Sequence, residues 1–300
     1  MSTSDSLSVI IPVYNDPSGL KDTVEGILQT RYDGEFEIVI VDNNSTDDTY
    51  DVAQSYAARH DRVHAVVEDD IQSSYAARNT GIDHATGDVL VFVDADITME
   101  PDWLETIATE IGDEEYLTYD VEVYVPDGED TWVARYNEHT SFPIQEYAEN
   151  RDFGGGGCIA VRREVFEELG PFDHRLISGG DAEFGNRVAA SGRKIRFTPE
   201  TQVYHPARTS LRSQMKKEIR VGRGFCQLQR HYSERYGRPG IPPRPSGSGG
   251  SSTDTDLLIL TRLVFRILGL LFFGCRGIGY LLELVAGDSR KSDQNSESTS

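Results

Sequence analysis

Two carboxylates one residue apart, Asp94 and Asp96, close the apolar run Val89-Leu90-Val91-Phe92-Val93. Acids crowded at the rim of a buried strand are electrostatically costly unless a cation sits beside them. A hard divalent ion bridging a diphosphate meets that need, because Mg2+ and Mn2+ take carboxylate and phosphate oxygens together. A third acid, Asp42, ends a second apolar run, where it can accept from a nucleobase N–H or a ribose hydroxyl. The segment Asp42 to Thr49 also reads as an Asx-rich turn capping the next helix. Spacing alone does not choose between these roles. The first apolar run ends Pro12-Val13-Tyr14-Asn15 without a G-x-G-x-x-G, which disfavours a dinucleotide-dependent oxidoreductase. The Gly-rich turn and basic residues of a sugar-1-phosphate nucleotidyltransferase are missing there too.

Short runs rich in Val and Ile position these acids. They predict strands at Leu7–Val13, Phe36–Val41, Val63–Val67 and Val89–Val93. Amphipathic stretches between them predict helices at Gly19–Gln29 and Asp47–Arg59. Shorter helices are predicted at 163–169 and 182–191. Repeated β-α-β units require right-handed crossovers, hence a parallel sheet with ligands at the carboxyl ends of its strands.

A net charge of −21 over 300 residues makes nucleic acid an unlikely partner and points to a salt-rich source. The three cysteines, Cys158, Cys226 and Cys275, are widely spaced, which argues against a disulfide framework or zinc site and fits a reducing cytoplasm. The polar segment Met1 to Ser6 carries no secretory signal. Between His205 and Arg244 the charge reverses, with ten basic residues against two acidic ones. Such a run is ordinarily a solvated helix face, yet in so acidic a chain it asks for an anionic partner. The donor diphosphate, with Arg220 and Arg223 as contacts, and anionic lipid headgroups are the two candidates.

Leu257 to Val285 is the most apolar stretch. Its longest uncharged run, Ile267–Cys275, falls short of the ~20 residues that span a bilayer. On one helix Arg262, Arg266, Arg276 and Glu283 occupy an arc of about 100°. Each would cost ~2.5–3.5 kcal/mol in a lone span. Membrane association is expected, whether as an interfacial helix, a hairpin or a span, with docking on a soluble body as the alternative.

Seven motifs, in order, resemble the inverting family 2 glycosyltransferases of the GT-A fold over residues 8 to about 205. They are V-I-I-P-V-Y-N (9–15), V-I-V-D-N-N-S-T-D-D-T (39–49), A-A-R-N-T-G-I (76–82), A-T-G-D-V-L-V-F-V-D-A-D (85–96), G-G-G-G-C-I-A-V-R-R-E-V-F-E-E-L-G-P-F-D (154–173), G-G-D-A-E-F (179–184) and V-Y-H (203–205). The resemblance extends to archaeal members that build lipid-linked glycans for protein glycosylation. It implies that Pro12, Tyr14, Asp42 and Asn44 hold the nucleotide. Asp94 would contact the ribose or diphosphate, and Arg78 with Asn79 would line the donor site. Asp96 would ligate the metal, and His205 would complete that coordination or else be an ordinary histidine at a domain edge. Asp181 matches the catalytic base, with helix capping as its other role. The family's usual Glu-Asp pair is broken here, because Gly180 precedes Asp181. The Gly154–Gly157 run suits close approach of substrate to backbone, or a simple mobile loop.

The expected fold is α/β: a GT-A-type, mostly parallel sheet flanked by helices. The expected divisions are a catalytic domain (1–205), a basic helical extension (206–236), a flexible linker (237–256), a membrane-associated helix (257–286) and a disordered tail (287–300). The expected activity is Mn2+- or Mg2+-dependent transfer of a hexose, with inversion, from a UDP- or GDP-sugar. The acceptor would be a dolichyl- or polyprenyl-phosphate-linked saccharide at the cytoplasmic face of the cell membrane. The alternatives are charging the lipid phosphate itself, and a membrane-tethered binding module without catalysis. Asn43 and Asn44 formally match glycosylation acceptors and are expected to stay unmodified in the nucleotide site.

Overall fold

The computed structural model describes residues 5–140, 142–240 and 259–297, with side chains as far as Gly287. Most of the 237–256 linker and the end of the tail lie outside the described residues. The chain forms two compact units. The first comprises Met1–Tyr124, Phe142–Arg175 and Gly180–Pro206, and the second Val125–Ser141, Leu176–Gly179 and Ala207–Ser300. The expected catalytic domain thus lends two short segments, 125–141 and 176–179, to the second unit.

Among the described residues the first unit is built on one eight-stranded sheet. Its strands are β1 (Leu7–Val13), β2 (Phe36–Asp42), β3 (Val63–Val67), β4 (Val89–Phe92), β5 (Thr98–Met99), β6 (Tyr116–Tyr124), β7 (Ile159–Arg162) and β8 (Arg196–Pro206). Their order is β3-β2-β1-β4-β7-β6-β8-β5. The first four strands are parallel, as their crossover helices α1 (Pro17–Leu28), α2 (Thr49–Ala57) and α3 (Ser74–His84) require. The sheet is mixed beyond β4, because β7 returns antiparallel to both β4 and β6, while β6 and β8 are parallel.

β1 is buried throughout, which explains a run that is apolar but for Ser8, whose hydroxyl donates to Glu37 at 2.7 Å. A proline is out of place in a central strand because it cannot donate to the ladder. Pairing with β4 ends at Ile10, so Pro12 sits where β1 projects past that neighbour. The divergence opens the sheet at its carboxyl edge, between β1 and β4, where chain direction switches sides.

Helices α4 (Trp103–Ile111), α6 (Ile144–Arg151), α7 (Arg163–Leu169) and α8 (Gly180–Ala190) complete the first unit. Under α8 lies an aromatic cluster. Phe184 stacks on Phe166 with ring centroids 4.6 Å apart and lies 4.8 Å from Phe172, which meets Phe92 edge-on at 5.5 Å. Arg187, one turn from Glu183, ties the helix to the carbonyls of Leu169, Gly170 and Pro171.

The second unit contains α5 (Trp132–Thr140), α9 (Leu211–His231), α10 (Ser233–Tyr236) and α11 (Ile259–Glu297). α9 and α11 run parallel and touch backbone to backbone. A Cβ on Gly222 would lie 1.9 Å from the Arg276 carbonyl oxygen, and one on Gly279 would lie 2.0 Å from that of Ile219. Glu218 pairs with Arg276 at 2.6 Å. The fully buried Glu283 receives Arg223 at 2.9 Å, Arg230 at 3.2 Å and Gln227 at 3.1 Å. The tail expected to be disordered continues α11 to Glu297, since no proline interrupts it and each added residue closes one more hydrogen bond.

The aromatic cluster is the part of the core that supports α8. Phe184→Ala removes a fully buried ring and is expected to lower unfolding stability by ~3–5 kcal/mol, read as a denaturant midpoint shift at constant slope.

Candidate active site

The parallel register brings the carboxyl ends of β1, β2 and β4 to one edge, with Val13 opposite Asp42 and Ile10 opposite Phe92. Tyr14, Asp42 and Asp94 therefore emerge together. Two left-handed residues, Asn15 (φ 52°) and Asn44 (φ 59°), turn the chain sharply after β1 and β2. They knit the two loops: Asn15 N–H donates to Ser45 Oγ at 2.9 Å, and Asn15 Oδ1 accepts from Thr46 N–H at 2.8 Å.

The two oxygens of Asp42 have different surroundings. Oδ2 accepts from Ser45 N–H at 2.9 Å, the Asx-turn bond. Oδ1 is buried and accepts no hydrogen bond from the protein. A buried acceptor without a donor is costly, so it suits a ligand N–H or O–H. Tyr14 stands beside this edge half exposed, while Pro12 shapes the strand beneath it. Asn44 is exposed in the same loop.

Asp94 and Arg78 form the centre. Arg78, from the buried face of α3, donates Nη2–H to Asp94 Oδ1 at 2.6 Å. Its Nη1 donates to the Ser74 carbonyl at 3.3 Å, and its buried Nε has no acceptor. The antiparallel register of β4 with β7, Phe92 opposite Ile159, carries the glycine run past Asp94. A Cβ on Gly157 would lie 2.7 Å from Asp94 Oδ2, and one on Gly156 would lie 3.3 Å from the Arg78 guanidinium. These glycines let the backbone pass close to a charged pair of the chain's own side chains.

Asp181 lies in the first turn of α8, where the helix N-terminus favours an anion. Its Oδ1 accepts from its neighbour Ala182 N–H at 2.9 Å and from Tyr75 Oη–H at 3.5 Å. Burial pushes this carboxyl above the ordinary aspartate range, against the pull of the Ala182 N–H, the Arg78 charge and the Gly156 N–H. The space that a side chain at 180 would take is filled by the Tyr75 ring, whose atoms lie 2.8 Å from a Cβ built on Gly180.

Asp96 and His205 meet because β5 pairs antiparallel with β8, Thr98 opposite Tyr204. His205 Nε2 is 3.5 Å from Asp96 Oδ2, and His205 Nδ1 is 2.7 Å from the Pro206 carbonyl oxygen. A carbonyl can only accept, so Nδ1 carries the proton. Nε2 faces the Asp96 carboxylate, so the two side chains offer one nitrogen and one oxygen ligand to a cation. No cluster of three or more metal-ligating side chains occurs among the described residues. Asp96 and His205 are thus a two-ligand set that fits an ion sharing its shell with phosphate oxygens.

Two predicted residues, Asn79 and Arg223, are engaged by other groups of the chain. The Asn79 amide is clamped at both ends by Phe172, donating to its carbonyl at 2.9 Å and accepting from its N–H at 3.0 Å. It fixes the loop beneath α8 instead of facing Asp94. Arg220 and Arg223 lie on α9 in the second unit, and Arg223 is engaged by Glu283 there. Tyr75 and Gly157 were not singled out by sequence. The glycine run was the only signal for the latter, and nothing local marked the former.

A carboxyl held above its ordinary pKa makes ionisation a cost to the fold, paid above that raised value and absent at pH below both folded and unfolded values. Asp181→Asn is therefore expected to raise the melting temperature at pH 7. The gain should vanish near pH 3, as measured by thermal unfolding in paired buffers.

Comparison with known proteins agrees with this geometry. Residues 8–170, more than half of the chain, match the Glycosyl transferase family 2 profile. Glycosyltransferase AglE of Haloferax volcanii is 34% identical over 230 residues, covering 76% of this chain and 75% of the relative. The Glucosyl-dolichyl phosphate glucuronosyltransferase of the same organism is 29% identical over 222 residues, covering 66% and 68%. The solved mannosyltransferase PcManGT of Pyrobaculum calidifontis, in complex with GDP-Man and Mn2+, superimposes with a TM-score of 0.60 at 18% identity. That match covers 95% of this chain and 87% of that one, and it shows the GT-A type of fold. The chain belongs to glycosyl transferase family 2 and is a glycosyltransferase.

Proposed function

We propose that the chain transfers a hexose, with inversion, from a UDP- or GDP-sugar to a hydroxyl of a dolichyl- or polyprenyl-phosphate-linked saccharide, in the assembly of glycans for protein glycosylation. The observation that carries this is Asp181: a partly buried carboxyl of raised pKa, near the Arg78–Asp94 pair through the shared Gly156–Gly157 loop. Inversion asks for one carboxylate that takes the acceptor proton as the hydroxyl attacks the anomeric carbon. A raised pKa makes Asp181 a better proton acceptor near neutral pH than an ordinary aspartate.

The other residues bind and orient. Asp42 Oδ1 accepts from the base or ribose, with Tyr14 beside it and Asn44 in the same loop. Asp94, held by Arg78, orients the ribose or diphosphate, and the Arg78 Nε–H is an additional donor for an anion. Asp96 and His205 Nε2 would hold Mn2+ or Mg2+, which when bound neutralises charge on the departing nucleoside diphosphate. No protein acid is then required on the leaving oxygen.

Two features support a lipid-linked acceptor. One relative is named for a glucosyl-dolichyl phosphate substrate, and Ile259–Gly287 is long and apolar enough to cross a membrane, with a mean hydropathy of 1.6. The cytoplasmic face follows from where nucleotide sugars reside. The resemblance to haloarchaeal relatives accords with the acidic composition of the chain. A lipid-phosphate acceptor is the second reading. Such an acceptor is already anionic and needs no base, so the raised pKa of Asp181 favours a hydroxyl.

The test uses membranes containing the full chain in high salt with Mn2+ or Mg2+, native lipids and radiolabelled UDP- or GDP-sugars. Label should enter the chloroform–methanol extract with wild type and fall to background with Asp96→Ala. Asp181→Asn should lower kcat at least 100-fold. A rate within threefold of wild type would instead favour the lipid phosphate as acceptor. Gly157→Ala should raise the donor KM about tenfold by displacing Asp94, a loss of ~1.4 kcal/mol in binding. Label that is equal in wild type and Asp96→Ala for every donor would overturn the proposal.

A further inference from the structure

α11 presents two opposed faces. Phe272, Cys275, Gly279 and Glu283 are buried. At 100° per residue they share an arc of about 80°. Leu260, Leu263, Ile267, Leu270, Ile278 and Leu281 are exposed, Leu270 to 72%. They share another arc of about 80°, centred roughly 140° away. This apolar stripe is ~32 Å long at 1.5 Å per residue.

The buried face is occupied by α9. Gly222 and Gly279 bring the two backbones into contact, and two of the four charges of the apolar stretch are matched there: Arg276 by Glu218, Glu283 by Arg223 and Arg230. α9 cannot follow α11 into hydrocarbon, because Arg212, Lys216 and Arg220 form an exposed stripe at four-residue spacing. The part of α11 that precedes these contacts, Ile259–Leu271, is too short to cross a bilayer unaided. A spanning α11 would therefore have to shed α9 and expose a fully buried Glu283 to lipid.

We propose that α9 and α11 form a preassembled membrane-docking element that lies in the plane of the membrane. The Leu260–Leu281 stripe of α11 rests at the headgroup–acyl boundary, and the Arg212, Lys216, Arg220 stripe of α9 attracts anionic headgroups. This rests on the membrane association proposed above and adds its geometry, its lipid-facing residues and its preference for anionic lipid. The stripe of three cations in a chain of net charge −21 supplies the complementarity to such a surface.

The test places a nitroxide label at Leu260→Cys, Leu270→Cys or Leu281→Cys in the full chain, with the buried natural cysteines as the unlabelled control. Each variant is added to preformed phosphatidylglycerol or phosphatidylcholine vesicles, and immersion depth is read by electron paramagnetic resonance. In-plane docking gives all three positions one depth, ~5–10 Å below the headgroups. Arg212→Gln with Lys216→Gln should weaken binding to phosphatidylglycerol about 30-fold at low salt and leave phosphatidylcholine binding unchanged. A label at 270 near the bilayer centre, with 260 and 281 shallow on opposite sides, would overturn the in-plane geometry alone. Labels that stay dry in a chain dimeric by light scattering would assign the stripe to a second copy. Failure to bind either vesicle would remove membrane association as well.

Discussion

A buried guanidinium needs an anion, and much of the first unit's functional edge is arranged around that need. Arg78 reaches from α3 to the carboxylate of Asp94 at the end of β4, and its charge is also felt at Asp181 on α8. Three elements distant in sequence thus converge on one cation. The pair can be covered only by backbone without side chains, which Gly156 and Gly157 provide. The strand register then sets everything else: Asp94 falls beside Gly157 because Phe92 falls opposite Ile159.

The two poles of the site differ in how their charge is managed. At the Arg78–Asp94 pole the countercharge is built in, so the geometry stands without a ligand. At the Asp96–His205 pole His205 Nε2 stands 3.5 Å from Asp96 Oδ2, while its Nδ1 lies 2.7 Å from the Pro206 carbonyl oxygen. Under the proposed function a cation from outside the chain would complete that pole. Affinity for metal and diphosphate would then be coupled, each supplying charge that the other lacks.

How much was legible in sequence tracks how local each constraint is. Leu7–Val13 and Val63–Val67 matched their strands to the residue: β1 is buried throughout and its apolar run marks it, whereas the half-exposed edge strand β3 is marked by its valines. Asp42, Asp94 and Asp96 could be placed at the strand ends from sequence, since a strand end is a local feature. The antiparallel return of β7 was not legible, nor was the contact of Tyr75 with Gly180, whose partners lie over one hundred residues apart. The surroundings of Asn79 were not legible for a related reason. Its motif marks the position, but its clamp on Phe172 belongs to tertiary packing. The charge-reversed stretch was recognised as unusual, yet its pairing with Glu283 required knowing that α9 and α11 run side by side.

The Tyr75 ring over Gly180 carries an evolutionary consequence. A glutamate at 180 would need the volume that the ring occupies, and a smaller residue at 75 would leave a void over α8. Neither change is tolerated well before the other, so the two positions should drift as a linked pair. Relatives that keep the Glu-Asp doublet at 180–181 should carry a small residue at 75, and those with an aromatic at 75 should carry glycine at 180. A lineage that crossed from one state to the other had to do so nearly in one step, or through a weakened intermediate.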